Sequence, residues 1–211
     1  MTRALVLAST SPYRARLLER LDIPFTVAAP TLDERAHDDA FASTSDEAFA
    51  TMLARGKADS LRAKWPTSFI LAADQLAVLP GAGTRTRTRT RTLLHKPGSR
   101  DKAVEQLMQL AGRSHRLVTA IVVLDATTGQ TWQDVDVVEL TMRPFAREEA
   151  AAYVDAHAPL DCVGSYRIED AGIWLFDAVT GADPTSIMGL PLLKVCRLLR
   201  AANVPALIPK R

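Results

Sequence analysis

The stretch LVLASTSPYRARLL, residues 5–18, decides the fold. It opens on an apolar run, read as a strand over Ala4–Ala8, whose unbroken hydrophobicity suits a strand buried on both faces. Ser9, Thr10 and Ser11 end the run, and Pro12 follows at once. A hydroxyl residue ahead of proline is a helix start. The side chain accepts from a free N–H of the first turn, and proline fills the first helical position, where no donor is needed. Leu17, Leu18 and Leu21 then give the helix an inward stripe. A buried strand running directly into a capped helix is the first half of a βα unit.

The same alternation continues along the chain. Phe25–Ala29 reads as a second strand, ended by Pro30. Thr44 and Glu47 have capping-box spacing and predict a helix to about residue 63, with Phe49, Met52, Leu53 and Leu61 apolar. Phe69–Ala73 predicts another buried strand, and Ser99–Leu110 a helix. Leu117–Leu124 and Val135–Thr141 predict strands joined through the turn residues Asp125-Ala126-Thr127-Thr128-Gly129. Glu148–Ala156 predicts a helix, Ile173–Phe176 a short strand, and Pro191–Ala201 a final helix with Leu192, Val195, Cys196 and Leu199 inward. Strands alternating with helices specify an α/β fold, and the adjacent strands over 117–141 add an antiparallel pair, so the sheet is mixed.

A chain of 211 residues has room for one domain or a compact pair of lobes, and 47% hydrophobic with 24% charged residues is ordinary globular composition. The net charge is +2, and four positive charges sit in one tract as Arg85, Arg87, Arg89 and Arg91; removing those four from +2 leaves −2. The body of the protein is therefore not basic, which disfavours a general nucleic-acid binder. The tract itself, TRTRTRTRT over 84–92 after Pro80-Gly81-Ala82-Gly83, is low-complexity. Its alternation suits a strand with every arginine on one face, or a solvated loop, and we read it as a loop. Cys162 and Cys196 have no metal-ligand spacing and read as reduced thiols. No apolar run approaches the ~20 residues of a membrane span, and the N-terminus lacks a secretory-type segment, so cytoplasm is the expected compartment.

Several residues are candidates for chemistry. The hydroxyls at the first helix N-terminus, with Arg14 behind them, make an anion site: free N–H groups and the helix dipole favour negative charge, and a guanidinium fork suits phosphate. The bland alternative is an ordinary capped helix with surface arginines. Asp74, after FILAA, reads as a carboxylate at the carboxyl end of a buried strand, where α/β proteins place ligand-facing groups, or as a strand-end cap. Lys57 shares an i, i+4, i+8 line with Phe49 and Leu53, so it is either a site residue or a snorkelling lysine. Asp33-Glu34 is a metal ligand pair or a solvated loop. Together, hydroxyls, an arginine, Lys57, Lys96 and these carboxylates suit a polyphosphate with a divalent cation. There is no Walker-type loop. The histidines, His37, His95, His115 and His157, sit in no triad context.

Read in order, LASTSPYRARLLERL, TLDE, ARGKADSL, ILAADQLAVL, HKP and GLPL resemble the motifs of Maf-type nucleoside triphosphate pyrophosphatases, from about residue 4 to residue 200, interrupted near 80–92. The resemblance implies a single Maf-like domain over 1–211 with a Thr/Arg insert at about 80–93. Its fold would be of the Maf/ITPase-like kind, a mixed, twisted central sheet flanked by helices with a cleft between two lobes. It implies cleavage of a nucleoside triphosphate between the α and β phosphates, with Mg²⁺ or Mn²⁺ held at Glu34 and Asp74. By the same resemblance Ser9, Ser11 and Arg14 hold phosphates, Asp74 accepts the proton of the attacking water, and Lys57 and Lys96 neutralise developing charge.

The branch is also indicated. Tyr13 after Ser-Pro, Gln75 after Asp74, and Glu169 in GSYRIEDAG resemble the members directed at 7-methyl-GTP. N7-methylation makes guanine cationic, so an aromatic face and a carboxylate both favour it. Tyrosine stands where tryptophan is common, and the insert before Lys96 departs from the usual pattern. A dTTP/UTP-type pyrophosphatase and a non-catalytic nucleotide-binding protein linked to cell division are the rival readings. In the latter the arginine tract would dock RNA. The resemblance further implies a house-cleaning role on a small-molecule triphosphate, with no membrane partner and no stable nucleic-acid partner. Relatives are often dimeric, and septum formation is attached to the family name.

Overall fold

The computed structural model describes residues 3–81 and 91–204. Arg85, Arg87 and Arg89 of the arginine tract lie outside the described residues. The strands, β1 (Leu5–Ala8), β2 (Phe25–Ala28), β3 (Phe69–Pro80), β4 (Arg91–Leu94), β5 (Ser114–Asp125), β6 (Thr131–Met142) and β7 (Phe176–Thr180), form a seven-stranded sheet with the order β2-β1-β3-β5-β6-β7, and β4 pairs with β3 off this path. Helices flank the sheet, so the fold is mixed α/β, as the alternation predicts. The chain divides into two compact units, one of Met1–Asp74, Thr119–Asp136 and Asp183–Arg211, the other of Gln75–Val118 and Val137–Ala182.

The first unit is built around β1 (Leu5–Ala8). It lies parallel to both β2 (Phe25–Ala28) and β3 (Phe69–Pro80), with Leu5 opposite Phe25 and Phe69, and Ala8 opposite Ala28 and Ala72. On one face the period-two set Leu5, Leu7, Phe69, Leu71, Ala73, Ile121 and Val123 packs with Leu17 and Leu18 of α1 (Pro12–Glu19) and with Val195, Leu198 and Leu199 of α6 (Leu192–Ala201). Burial on both faces explains why these strands read as solid apolar runs rather than alternating ones. A short helix α2 (Asp38–Phe41) leads to α3 (Asp46–Leu61), which packs on β1 and buries Phe49, Leu53, Lys57 and Leu61 along one line.

The second unit holds the hairpin of β3 with β4 (Arg91–Leu94), paired from Ala77 opposite Leu94 to Pro80 opposite Arg91. It also holds α4 (Arg100–Leu110), α5 (Arg147–His157) and β7 (Phe176–Thr180), the last antiparallel to β6 (Thr131–Met142). The boundary between the units falls within β3, β5 (Ser114–Asp125) and β6. Helix α4 packs on α5 and on the 3-10 turn Val163–Ser165. Cys162 and Cys196 are free and half-buried.

Four readings of the sequence are corrected. The third strand does not stop at Ala73 but runs to Pro80, because the polar pair Asp74-Gln75 is carried inside it. The tract read as a loop ends in β4, since Arg91 and Thr92 pair with Pro80 and Leu79. The cap of α3 is Ser45, whose Oγ accepts from Ala48 N at 3.1 Å, while the Thr44 hydroxyl donates back to Ala40 O at 2.8 Å. The strand expected at Ile173–Phe176 is a 3-10 turn over Ala171–Leu175, with the strand starting at Phe176. Asp170 caps that turn by accepting from Gly172 N at 3.0 Å, and Gly172 lies so close to Arg167 O that a Cβ would sit 2.1 Å from it. That approach winds the segment before it can extend.

Candidate active site

The α1 N-terminus is built as its sequence predicts. Ser11 caps the helix with extended backbone, φ −74° and ψ 119°, and its Oγ accepts from Arg14 N at 3.4 Å. Pro12 takes the first helical position. Ser9 is buried, and its Oγ accepts from Ser11 N at 3.1 Å. The turn between β1 and α1 therefore sets two serine hydroxyls at the helix's positive end. Arg14 is half-buried, and its Nε donates to Gly189 O at 2.9 Å. Burial lowers its pKa, opposed by the charges of Asp74 and Glu34.

Asp74 is 3% exposed and lies two residues beyond Ala72, the last residue that β3 pairs with β1. It thus sits in mid-strand, yet at the level where β1 has ended and the Ser9–Ser11 turn begins. The rule that ligand-facing groups gather at carboxyl ends is satisfied by the neighbour strand rather than by β3 itself. Lys57, 5% exposed, donates to Asp74 Oδ1 at 2.5 Å and pairs with Glu34 Oε1 at 2.8 Å. It does not snorkel. Its ammonium bridges one buried and one half-exposed carboxylate, which is what allows a charge on the apolar face of α3. Asp33 plays a different part: its Oδ1 accepts from Arg35 N at 3.1 Å and caps the following turn. Of the Asp33-Glu34 pair, only Glu34 reaches Lys57. Tyr13 on α1 is half-buried.

The structure thus brings together Ser9 with Ser11, and Lys57 with Asp74 and Glu34, all in the first unit. Gln75, Lys96 and Glu169 belong to the second unit. Gln75 is half-buried in β3, while Lys96 and Glu169 are exposed. The guanidinium of Arg167 donates to Ala158 O at 2.9 Å and faces Asp161 and Asp170 at 3.8 and 3.6 Å, so it is engaged away from Glu169.

Sequence reasoning assigned no role to the segment that seats Arg14. Asp183 is buried; its Oδ1 accepts from Thr185 N at 2.9 Å and its Oδ2 from Leu193 N at 2.8 Å. It caps α6 from ten residues upstream and fixes the 183–191 segment that carries Gly189. The signal available was GLPL itself, whose glycine holds a left-handed φ of +86°.

Chemically, Arg14 and Lys57 against Asp74 and Glu34 form a set of zero net charge, with polar groups of a helix N-terminus beside β1. Such a set can bind a polyanion that brings its own cations, and it offers a buried carboxylate as a base.

The Maf-like protein family matches residues 4–202. The chain is 39% identical over 205 residues to the 7-methyl-GTP pyrophosphatase of Albidiferax ferrireducens, covering 97% of this chain and 96% of that protein. It is 37% identical over 207 residues to the 7-methyl-GTP pyrophosphatase of Chromohalobacter salexigens, covering 98% and 100%. It is 38% identical over 203 residues to that of Xanthomonas campestris, covering 96% and 98%. With nearly its whole length matched, this chain belongs to the Maf-like protein family.

Proposed function

We propose that this protein is a nucleoside triphosphate pyrophosphatase that hydrolyses 7-methyl-GTP to the monophosphate and pyrophosphate. The observation that carries the reading is the buried Lys57–Asp74 pair, reached by Glu34, in the unit that also holds the serine-lined α1 N-terminus. Ser9, Ser11 and Arg14 take the phosphates. The Gly189 carbonyl occupies Arg14 Nε and leaves the two terminal nitrogens for phosphate oxygens. Asp74 Oδ1 is held by Lys57, so Oδ2 is the oxygen that takes the proton of the water attacking phosphorus. Lys57, and Lys96 from the second unit, offset the charge that builds on the bridging oxygen as the α–β bond breaks. Tyr13, Gln75 and Glu169 read the base, the carboxylate of Glu169 accepting from the guanine N1–H and N2–H₂ edge.

A divalent cation, Mg²⁺ or Mn²⁺, fits the donor set. Glu34 and Asp74 converge on a single cationic point, now the Lys57 ammonium, and among the described residues no group of three His, Cys, Asp or Glu side chains forms a closed metal cage. Two carboxylates with substrate phosphates completing the shell is the usual arrangement for magnesium. When bound, the ion neutralises phosphate charge. No helix among the described residues is long and apolar enough to cross a membrane. A cytoplasmic, homodimeric enzyme acting on a small molecule is part of the proposal.

Pyrophosphate release from 7-methyl-GTP, GTP, dTTP, UTP and CTP with Mg²⁺ tests it. The expected result is fastest turnover of 7-methyl-GTP. Leadership by dTTP or UTP contradicts the base assignment of Tyr13 and Glu169, and turnover of none contradicts the enzyme.

A further inference from the structure

We infer that Gln106 is a positioning residue that ties the Lys96 loop to the loop bearing Glu169. The inference rests on the pyrophosphatase reading above. Gln106 lies on α4, whose buried face is Ala103, Val104, Leu107 and Leu110. It is half-buried at the margin of that face, where an apolar side chain would pack at no polar cost. Its amide is instead bonded at both ends. Nε2 donates to His95 O at 2.7 Å, and Oε1 accepts from Ser165 Oγ at 2.6 Å. The carbonyl of His95 can only accept, which fixes the orientation of the amide. His95 immediately precedes Lys96, and Ser165 opens the run Ser165-Tyr166-Arg167-Ile168-Glu169.

Both loops need such a tie. Lys96 lies in the short connection between β4, which ends at Leu94, and α4, which begins at Arg100, and the N–H of Gly98 in that connection donates to Leu160 O at 3.1 Å. Ser165 is fully buried with φ +63°, a left-handed backbone that a non-glycine adopts only when its surroundings impose it. The bond to Gln106 supplies part of that constraint. Beyond it the Glu169 loop is tied at two further points: Tyr153 Oη accepts from Arg167 N at 2.9 Å, and Gly172 is pressed against Arg167 O. One end of this loop is therefore pinned to α4, and the same amide pins the lysine loop. All of these residues belong to the second unit.

The test is kcat, KM and the ratio of kcat/KM for 7-methyl-GTP over GTP in wild type, Gln106→Met and Ser165→Ala. Methionine keeps the length of the side chain and removes both bonds; alanine removes only the bond to the Glu169 loop. Gln106→Met is expected to lower kcat by about tenfold and to reduce the ratio several-fold, since small misplacement of a charged group is costly. Ser165→Ala is expected to reduce the ratio with kcat within about twofold of wild type. The ratio does not depend on the folded fraction, so a poorly folding variant still reports. An unmoved kcat and ratio in Gln106→Met overturn the inference alone. A wild type that does not favour 7-methyl-GTP counts against the substrate reading, and the ratio of kcat/KM for the triphosphate it does favour over GTP then decides the inference. A wild type that cleaves no triphosphate removes both.

Discussion

Lys57 and Asp74 each lower the cost of burying the other. Both are buried, and their contact is the direct link between α3 and β3 in the candidate site. Removing one partner leaves a buried charge without its counter-ion, at a cost of about 3–5 kcal/mol. Lys57→Met should therefore lower the unfolding free energy by about 3 kcal/mol, and Lys57→Met with Asp74→Asn should recover much of the loss. Denaturant unfolding of the four proteins of this cycle measures it; strictly additive effects would contradict the pair. Both residues were visible in the sequence as anomalies, a lysine on an apolar helix line and an aspartate after FILAA. What was not visible was geometry. The sequence placed Asp74 at a strand end, whereas it lies within β3 and owes its access to the end of β1. Arg14 could be assigned to phosphate from its place after Ser-Pro, but not its anchor on Gly189, 175 residues away.

Elements whose signals are local were legible, and those shaped by distant contacts were not. The β1–α1 turn follows from hydroxyl, proline and apolar periodicity alone. The segment before β7 is an intermediate case: its 3-10 turn over Ala171–Leu175 is capped by Asp170 two residues from Gly172, while the Tyr153 hydroxyl that accepts from Arg167 N comes from 14 residues upstream. A case shaped by distant contacts is His115 on β5. It is fully buried, with Nε2 at 2.8 Å from Tyr166 Oη and its ring in edge contact with that tyrosine. Nδ1 has no hydrogen-bond partner, so a second N–H would find no acceptor among the described residues. Burial pulls its pKa down to about 4. The unfolded chain, with an ordinary histidine near 6.5, then binds a proton that the folded one refuses. The stability that neutral His115 permits is complete above about pH 6.5 and is lost as pH falls toward 4. The loss is about 3 kcal/mol. Thermal unfolding of wild type and His115→Gln across pH 4–7 checks this: wild type should fall more steeply with acid, and parallel curves would contradict it.

Across the whole molecule, the mixed α/β class follows from the alternation of strands and helices, and the family from ordered motifs spread over nearly the full chain, while the strand order was not legible. Of the candidate residues, the structure joins Ser9 with Ser11, and Lys57 with Asp74 and Glu34, pairings that the sequence does not display. Six of the candidates, Ser9, Ser11, Tyr13, Arg14, Glu34 and Lys57, lie in the first unit with Asp74, while Gln75, Lys96 and Glu169 lie in the second. The ties within each unit, Gln106 in one and the Asp183-capped segment in the other, join residues far apart in the chain. At the opposite end of β5, Arg3 Nη1 donates to Asp125 Oδ2 at 2.9 Å, and this pairing holds the Asp125 carboxyl below the usual range.

The central claim is that Asp74 takes a proton from water as the α–β anhydride breaks. Phosphorus NMR of 7-methyl-GTP incubated with Mg²⁺ and either wild type or Asp74→Asn tests it most directly. Wild type should give monophosphate and pyrophosphate in equal amounts with no diphosphate. Asp74→Asn should slow that conversion by about 10²–10⁴-fold while still binding the nucleotide. Release of orthophosphate with a nucleoside diphosphate, or an Asp74→Asn protein as fast as wild type, would contradict the account.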